Sequence, residues 1–223
     1  MRRARTDRAN RVRGLYAVTP DLADTDTLTA KVRAAIEGGA RVVQYRDKSL
    51  APSARHAQAR RLAELCKRHD VLFIVNDDAT LARDVDADGV HIGEDDGDLA
   101  QVRDIVGDGR VIGLSCYDDF GRAREGVRRG ADYVAFGSFF ASSVKPAARR
   151  APLDLLARAR ALDVPVVAIG GIDATNAASL RDAGVSAVAV ISAVFAHETH
   201  DDIVRHARAI AELFTPSSTG NDA

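Results

Sequence analysis

Val166-Val167-Ala168-Ile169-Gly170-Gly171, then Ala174–Ala183 with Gly184, then Ala187-Val188-Ala189-Val190-Ile191-Ser192, is the stretch whose reading decides the fold. Two short β-branched runs flank a helical pattern that stops at glycine, the usual left-handed terminator. A Gly-Gly pair closes the first run and a small polar residue closes the second. Outward from this unit the same alternation fills the chain. Strands are expected at Leu15–Thr19, Val42–Arg46, Leu72–Asn76, Gly89–Ile92, Val111–Ser115, Tyr133–Gly137, Val166–Ile169 and Ala187–Ile191. Between and after them, Asp24–Gly38, Ala54–His69, Ala79–Val85, Asp98–Val106, Phe120–Gly130, Leu153–Leu162 and Asp201–Phe214 carry apolar residues near helical spacing. Strand–helix alternation calls for parallel strands joined by crossover helices. Eight such units make a single α/β domain of the (β/α)8 TIM-barrel class. An open doubly wound sheet is the alternative. It has fewer strands and a glycine fingerprint after the first, whereas here the first strand runs into Thr19-Pro20-Asp21.

Composition narrows the function classes. With 31 basic against 32 acidic residues in 223, the net charge of -1 gives no global support to nucleic-acid binding. Two cysteines, Cys66 and Cys116, are too few for a disulfide scaffold or a zinc cluster. The longest apolar stretch, Val185–Ala196, is well short of a membrane span. Residues 1–13 hold six arginines and no apolar segment, so they are expected to be a disordered basic leader rather than a secretory signal. Residues 14–214 form the barrel, and residues 215–223 a disordered tail. The expectation is a soluble cytoplasmic domain that meets neither nucleic acid nor membrane. The Ala- and Arg-rich helix faces leave a homo-oligomer open.

In a (β/α)8 barrel the chemistry sits at the carboxyl ends of the strands. Period two puts Gln44, Arg46 and Lys48 on one side at the end of the second strand. The third strand ends in Asn76-Asp77-Asp78, the fourth leads to Glu94-Asp95-Asp96, and the fifth ends at Ser115. The sixth leads into Ser142-Ser143-Val144-Lys145. Gly170-Gly171 together with Ser192 reads as a cradle of backbone N–H groups for phosphate, or, more plainly, as a tight turn. The doubled acids read as oxygen ligands for Mg²⁺ or as helix N-caps; capping accounts for one aspartate per turn but not for two. His91, inside the fourth strand, reads as a hydrogen-bonded barrel residue. Cys66 and Cys116 read as structural. Only four of the 31 basic residues are lysine, and Lys48 and Lys145 both fall on the rim.

These residues resemble a known family, the bacterial thiamine phosphate synthases of the thiamine phosphate synthase/thiazole tautomerase superfamily. The matching strings are Gln44-Tyr45-Arg46-Asp47-Lys48-Ser49, Ile74-Val75-Asn76-Asp77-Asp78, Asp88-Gly89-Val90-His91-Ile92-Gly93 with Asp96, Gly113-Leu114-Ser115, Gly137-Ser138-Phe139-Phe140, Lys145-Pro146, Ile169-Gly170-Gly171-Ile172 and Ile191-Ser192. They run in the family's order across roughly residues 14–214. The resemblance implies a transferase of thiamine biosynthesis. It would join 4-amino-5-hydroxymethyl-2-methylpyrimidine diphosphate to a thiazole phosphate, carboxylated or not, through a dissociative pyrimidinyl carbocation, releasing diphosphate. It implies pyrimidine-diphosphate binding by Gln44, Tyr45, Arg46, Asp47, Lys48, Asn76, Ser115 and Lys145, with Arg46, Lys48, Ser115 and Lys145 as the catalytic set. It implies Mg²⁺ on Asp77 and Asp96, and thiazole phosphate on Ser142, Ser143, Val144, Gly171, Ile191 and Ser192. Val144 and Ser142 replace common threonines, Ala141 a frequent proline, and Glu94 a usual glutamine. The alternatives are the tautomerase branch, which has a histidine just after strand five where this chain has Ser115-Cys116-Tyr117, and a non-catalytic phosphate-binding barrel.

Overall fold

The computed structural model describes residues 2–94, 97–141 and 150–215. Eight parallel strands close into a barrel in sequence order, the first pairing with the last. In chain order the elements are α1 (Arg2–Ala9), β1 (Gly14–Val18), α2 (Thr25–Glu37), β2 (Val42–Tyr45), α3 (Pro52–Arg68), β3 (Leu72–Asn76), α4 (Ala79–Asp84), β4 (Gly89–Ile92), α5 (Leu99–Val106), β5 (Val111–Tyr117), α6 (Phe120–Arg128), β6 (Tyr133–Gly137), α7 (Asp154–Ala159), β7 (Val166–Ile169), α8 (Ala177–Asp182), β8 (Ala187–Val190), α9 (Ser192–Phe195) and α10 (His200–Ala211), with a last 3₁₀ turn at Glu212–Phe214. No helix among the described residues is long and apolar enough to cross a membrane.

Period two along each strand sorts the core into two shells. Tyr16, Val18, Val42, Leu72, Ile74, Val111, Tyr133, Ala135, Val167, Ala187 and Ala189 pack inside the barrel. Their neighbours Leu15, Ala17, Val43, Tyr45, Phe73, Val75, Ile112, Leu114, Cys116, Val134, Phe136, Ala168 and Val188 pack outward against the helices. Cys66 and Cys116 are both buried in this outer shell, in keeping with a structural role, and burial pushes the Cys116 thiol up to about 12.

The leader departs from expectation. Residues 2–9 form α1, and Ala9 and Val12 join the inner shell. Arg8 reaches Gly109 O at 2.5 Å and Asp88 at 3.3 Å, and Arg11 pairs with Asp70 at 2.8 Å. The reason is tertiary. The amino-terminal mouth of the barrel exposes apolar side chains, and two small apolar residues on an otherwise basic segment suffice to cover them.

The same end carries three backbone clamps. Asp88 accepts from Phe73 N at 3.0 Å, Asp132 from Ile112 N at 2.8 Å, and Ser186 from Val166 N at 3.3 Å. Each residue precedes an even-numbered strand and grips the start of the odd strand before it. Asp132 is further tied to Arg103 at 2.6 Å, with the two side chains only 9% and 17% exposed. Removing one partner of such a pair leaves a largely buried charge behind. Asp132→Ala is expected to cost about 3 kcal/mol in denaturant unfolding. The far rim should keep its activity per folded molecule; a loss below 1 kcal/mol would show that the clamp is not a structural tie.

Candidate active site

The carboxyl ends of β1 to β3 are knitted together by residues that local pattern did not single out. Thr19 Oγ1 donates to Arg46 O at 3.0 Å and accepts from Arg46 N at 2.9 Å, locking the β1 and β2 loops. Asp21 accepts from Lys48 N at 3.1 Å and pairs with the Arg46 guanidinium at 3.3 Å. Lys48 Nζ lies 3.9 Å from Asp77 Oδ2, its side chain 61% exposed. A pair this long and this wet contributes little, so the ammonium can turn to another anion at small cost.

The aspartates divide their work. Asp78 caps α4 by accepting from Leu81 N at 2.8 Å and pairs with Arg55 at 2.5 Å. Asp77 sits at φ +64°, a left-handed backbone conformation, and its carboxylate pairs with Lys48 at the edge of the rim cavity. The cap of α5 is Asp98. The N-cap reading therefore holds for Asp78, while Asp96 lies outside the described residues. Asp47, Lys48, Asn76, Asp77 and Asp78 line an open cavity of about 460 Å³ that extends to Gln101 and Ile105 of α5.

Below this rim a file of hydrogen bonds crosses the barrel. Gln44 Nε2 donates to the Tyr16 hydroxyl at 2.7 Å, which lies 2.9 Å from the Tyr133 hydroxyl. Tyr133 meets His91 Nδ1 at 3.0 Å, and His91 Nε2 meets Ser115 Oγ at 2.9 Å. The His91 and Tyr133 rings are stacked, 5.5 Å between centroids. His91 is thus the hydrogen-bonded barrel histidine that the sequence suggests. Burial raises the ionisation of both phenols far above the ordinary tyrosine value, so they remain O–H groups. Gln44 and Ser115, from β2 and β5, are the two ends of one chain of contacts.

The structure also separates residues that the motif grouped. Tyr45 is a correction: its side chain points outward and donates to Gln58 Oε1 on α3 at 3.0 Å, so it does not line the barrel mouth. Period two requires this once Gln44 faces inward. The Asp47 carboxylate folds back on its own loop, accepting from Ser49 N at 2.9 Å and Leu50 N at 2.7 Å. Arg122, not singled out in the sequence, donates to Ser115 O at 2.8 Å and Gly93 O at 3.0 Å, holding the ends of β4 and β5 together where β5 has a register shift.

At the far side of the mouth Gly170 and Gly171 take φ of +103° and +64°. Beyond supplying that conformation, they make room: a Cβ at Gly170 would overlap Ser138, and one at Gly171 would overlap Ala141 O and Phe140. Ile191 precedes α9, and Ser192, its first residue, is exposed. Asp96, Ser142, Ser143, Val144 and Lys145 lie outside the described residues.

A closed barrel with an acidic, amide and cationic rim at β2–β5 and a glycine pair after β7 has counterparts among known proteins. A family model described as thiamine monophosphate synthase matches residues 15–194. The chain belongs to that family. The thiamine-phosphate synthase of Aromatoleum aromaticum is 52% identical over 186 residues, which cover 83% of this chain and 89% of that one. That of Thiobacillus denitrificans is 52% identical over 202 residues, 90% of this chain and 94% of the relative. Among solved structures, thiamine phosphate pyrophosphorylase from Pyrococcus furiosus matches with a TM-score of 0.81 and 33% identity, covering 92% of this chain and 96% of that one.

In this member of the thiamine monophosphate synthase family the interior file leaves no room at Gly113. A Cβ built there would overlap the Tyr133 phenol and the His91 ring. Gly113→Ala is expected to cost about 1–3 kcal/mol of stability by overpacking. It should also disturb the His91–Ser115 contact two residues along β5. Thermal melts and steady-state kinetics on the same preparation check both.

Proposed function

We propose that this protein is a thiamine phosphate synthase, condensing 4-amino-5-hydroxymethyl-2-methylpyrimidine diphosphate with a thiazole phosphate. The observation that carries the reading is the convergence of Gln44, Arg46, Lys48, Asn76, Asp77 and Ser115 on one barrel rim, in a chain of this family.

The bond between the pyrimidine methylene and the diphosphate oxygen breaks, and its electron pair leaves with diphosphate. The 4-amino group feeds electrons into the ring and stabilises the cation left behind. The thiazole nitrogen lone pair then forms the new C–N bond. Such a reaction needs balanced charge, orientation and dryness more than a protein nucleophile. Arg46 and Lys48 meet the charge that collects on the departing oxygens, joined by Lys145. Their resting partners, Asp21 at 3.3 Å and Asp77 at 3.9 Å, are loosely held and readily exchanged for phosphate. Gln44, Asn76 and Ser115 orient the pyrimidine half. Gly171, Ile191 and Ser192, with Ser142, Ser143 and Val144, take the thiazole phosphate.

Mg²⁺ fits the donors at hand. Asp77 is a carboxylate lining the rim cavity beside Lys48, and oxygen-only ligands suit an ion that binds through one or two carboxylates plus phosphate oxygens. Asp77 and Asp96 would hold it, and it would supply positive charge to the leaving diphosphate.

Two outcomes are expected. The purified protein, given both substrates and Mg²⁺, forms thiamine phosphate and diphosphate with no organic cofactor, and chelation of the metal stops it. Asp77→Ala loses turnover and needs more Mg²⁺ for half-maximal rate, with stability nearly unchanged. Asp78→Ala instead loses about 1 kcal/mol of stability through its cap. Product chromatography, metal titration and denaturant melts read these out. A chain that only isomerises a thiazole phosphate, or an Asp77→Ala variant with an unaltered Mg²⁺ requirement, would sink the corresponding part.

A further inference from the structure

The five-membered file from Gln44 to Ser115 has a direction, and the direction follows from counting protons. The Gln44 amide N–H donates to the Tyr16 oxygen. Tyr16 has one proton, and because Gln44 turns a donor toward it, the Tyr133 oxygen is the acceptor left for that proton among its described partners. The Tyr133 proton then goes to His91 Nδ1, which accepts only as a bare imidazole nitrogen. His91 carries its proton on Nε2 and donates it to Ser115 Oγ. The Ser115 hydroxyl proton is left over and has no acceptor among the described residues. At the other end Gln44 Oε1 has no donor among the described residues.

Reversal would require every member to turn at once: the amide flipped, both phenols rotated and the imidazole proton moved to Nδ1. No buried side-chain N or O among the described residues lacks a partner, so a break at one link would strand a buried polar atom. Tyr16 and Tyr133 are fully buried, on the strands that flank those carrying the two ends: β1 beside β2 and β6 beside β5.

We propose that Tyr133 and Tyr16 are positioning residues for the synthase reaction. With His91 they form a one-way file that holds the Ser115 hydroxyl as a hydrogen-bond donor and the Gln44 carbonyl as an acceptor toward the substrate. This rests on the reading that Gln44 and Ser115 meet the pyrimidine diphosphate. The file thereby selects a ligand offering an N–H donor on the β2 side and an oxygen or nitrogen acceptor on the β5 side. It also couples the two contacts: a ligand that engages Gln44 Oε1 fixes the amide, and through four hydrogen bonds fixes the Ser115 proton.

The test uses full-length protein with Tyr133→Phe, Ser115→Ala and the double variant, and Tyr16→Phe as a second break in the file. In ¹⁵N-imidazole correlation spectra of the ligand-free wild type at one pH, His91 should carry its proton on Nε2. In Tyr133→Phe, Nδ1 loses its donor and the other tautomer should appear. Tyr133→Phe should lower kcat/KM for the pyrimidine diphosphate about tenfold or more, with KM for thiazole phosphate within about twofold. On a Ser115→Ala background the same substitution should cost less than about threefold, because its effect runs through that hydroxyl. A wild-type His91 protonated on Nδ1, or a Tyr133→Phe loss that adds in full to Ser115→Ala, overturns the proposal. If Tyr133→Phe does not fold, Tyr16→Phe must give the same kinetic split, and its failure to do so overturns the proposal equally. The tautomer is read without substrate. A chain with the Nε2 tautomer and no synthase turnover would therefore refute the assigned reaction and leave the direction of the file standing.

Discussion

A polar side chain sealed inside a closed barrel must find its partner on another inward-facing side chain, beside it or across the interior, and this constraint organises the molecule. Closure leaves no sheet edge, and period two sends alternate residues inward whether they are apolar or not. Toward the amino-terminal mouth the inward residues are Val42, Leu72, Val111 and Ala187, closed off by Val12. One level higher the chain places Gln44, Tyr16, Tyr133, His91 and Ser115, and each finds the next at 2.7–3.0 Å. An unpaired member at that depth would cost more than the bond itself contributes. The aromatic bulk of Tyr16 and Tyr133 fills the interior while their hydroxyls carry the contacts, and Gly113 leaves them the space.

The ion pairs that hold the fold and those that face the substrate side differ in kind. At the amino-terminal end Arg103 and Asp132 meet at 2.6 Å, nearly out of water, and serve the fold. At the carboxyl end Arg46–Asp21 and Lys48–Asp77 are long and wetted. Short buried pairs resist exchange, and long exposed ones permit it. The rim therefore keeps cations near neutral at rest and ready for an anionic substrate, without storing an unpaired charge in the interior.

Much of this was legible in the sequence because β-branched runs and glycine stops are local signals. All eight strands fall within a few residues of expectation, β5 running on to Tyr117 through its register shift. The rim residues Gln44, Asn76, Asp77 and Ser115 follow from strand ends alone. Tyr45 belongs to the rim motif in sequence, but alternation turns it outward to Gln58. Helix α1 leaves no local signal, because a basic segment with two small apolar residues has no pattern of its own until a barrel mouth stands opposite. Tyr16 and Tyr133 read as ordinary strand aromatics; their hydroxyl contacts depend on residues brought together only by closure. Thr19, Asp21 and Arg122 act through loop carbonyls and amides, which no spacing rule marks.

The clamps by Asp88, Asp132 and Ser186 bear on how the chain acquires its structure. Each closes within a single strand–helix–strand unit, β3–β4, β5–β6 or β7–β8, so its loop is short and its entropic cost low. The pairing of β1 with β8 joins opposite ends of the barrel segment and is the contact of longest range in the sheet. Order can thus accumulate in pairs of strands and propagate to neighbours before the ring is sealed. The seam at β1 and β8, buttressed from outside by α2 against α10, is the strand pairing that closes the longest loop.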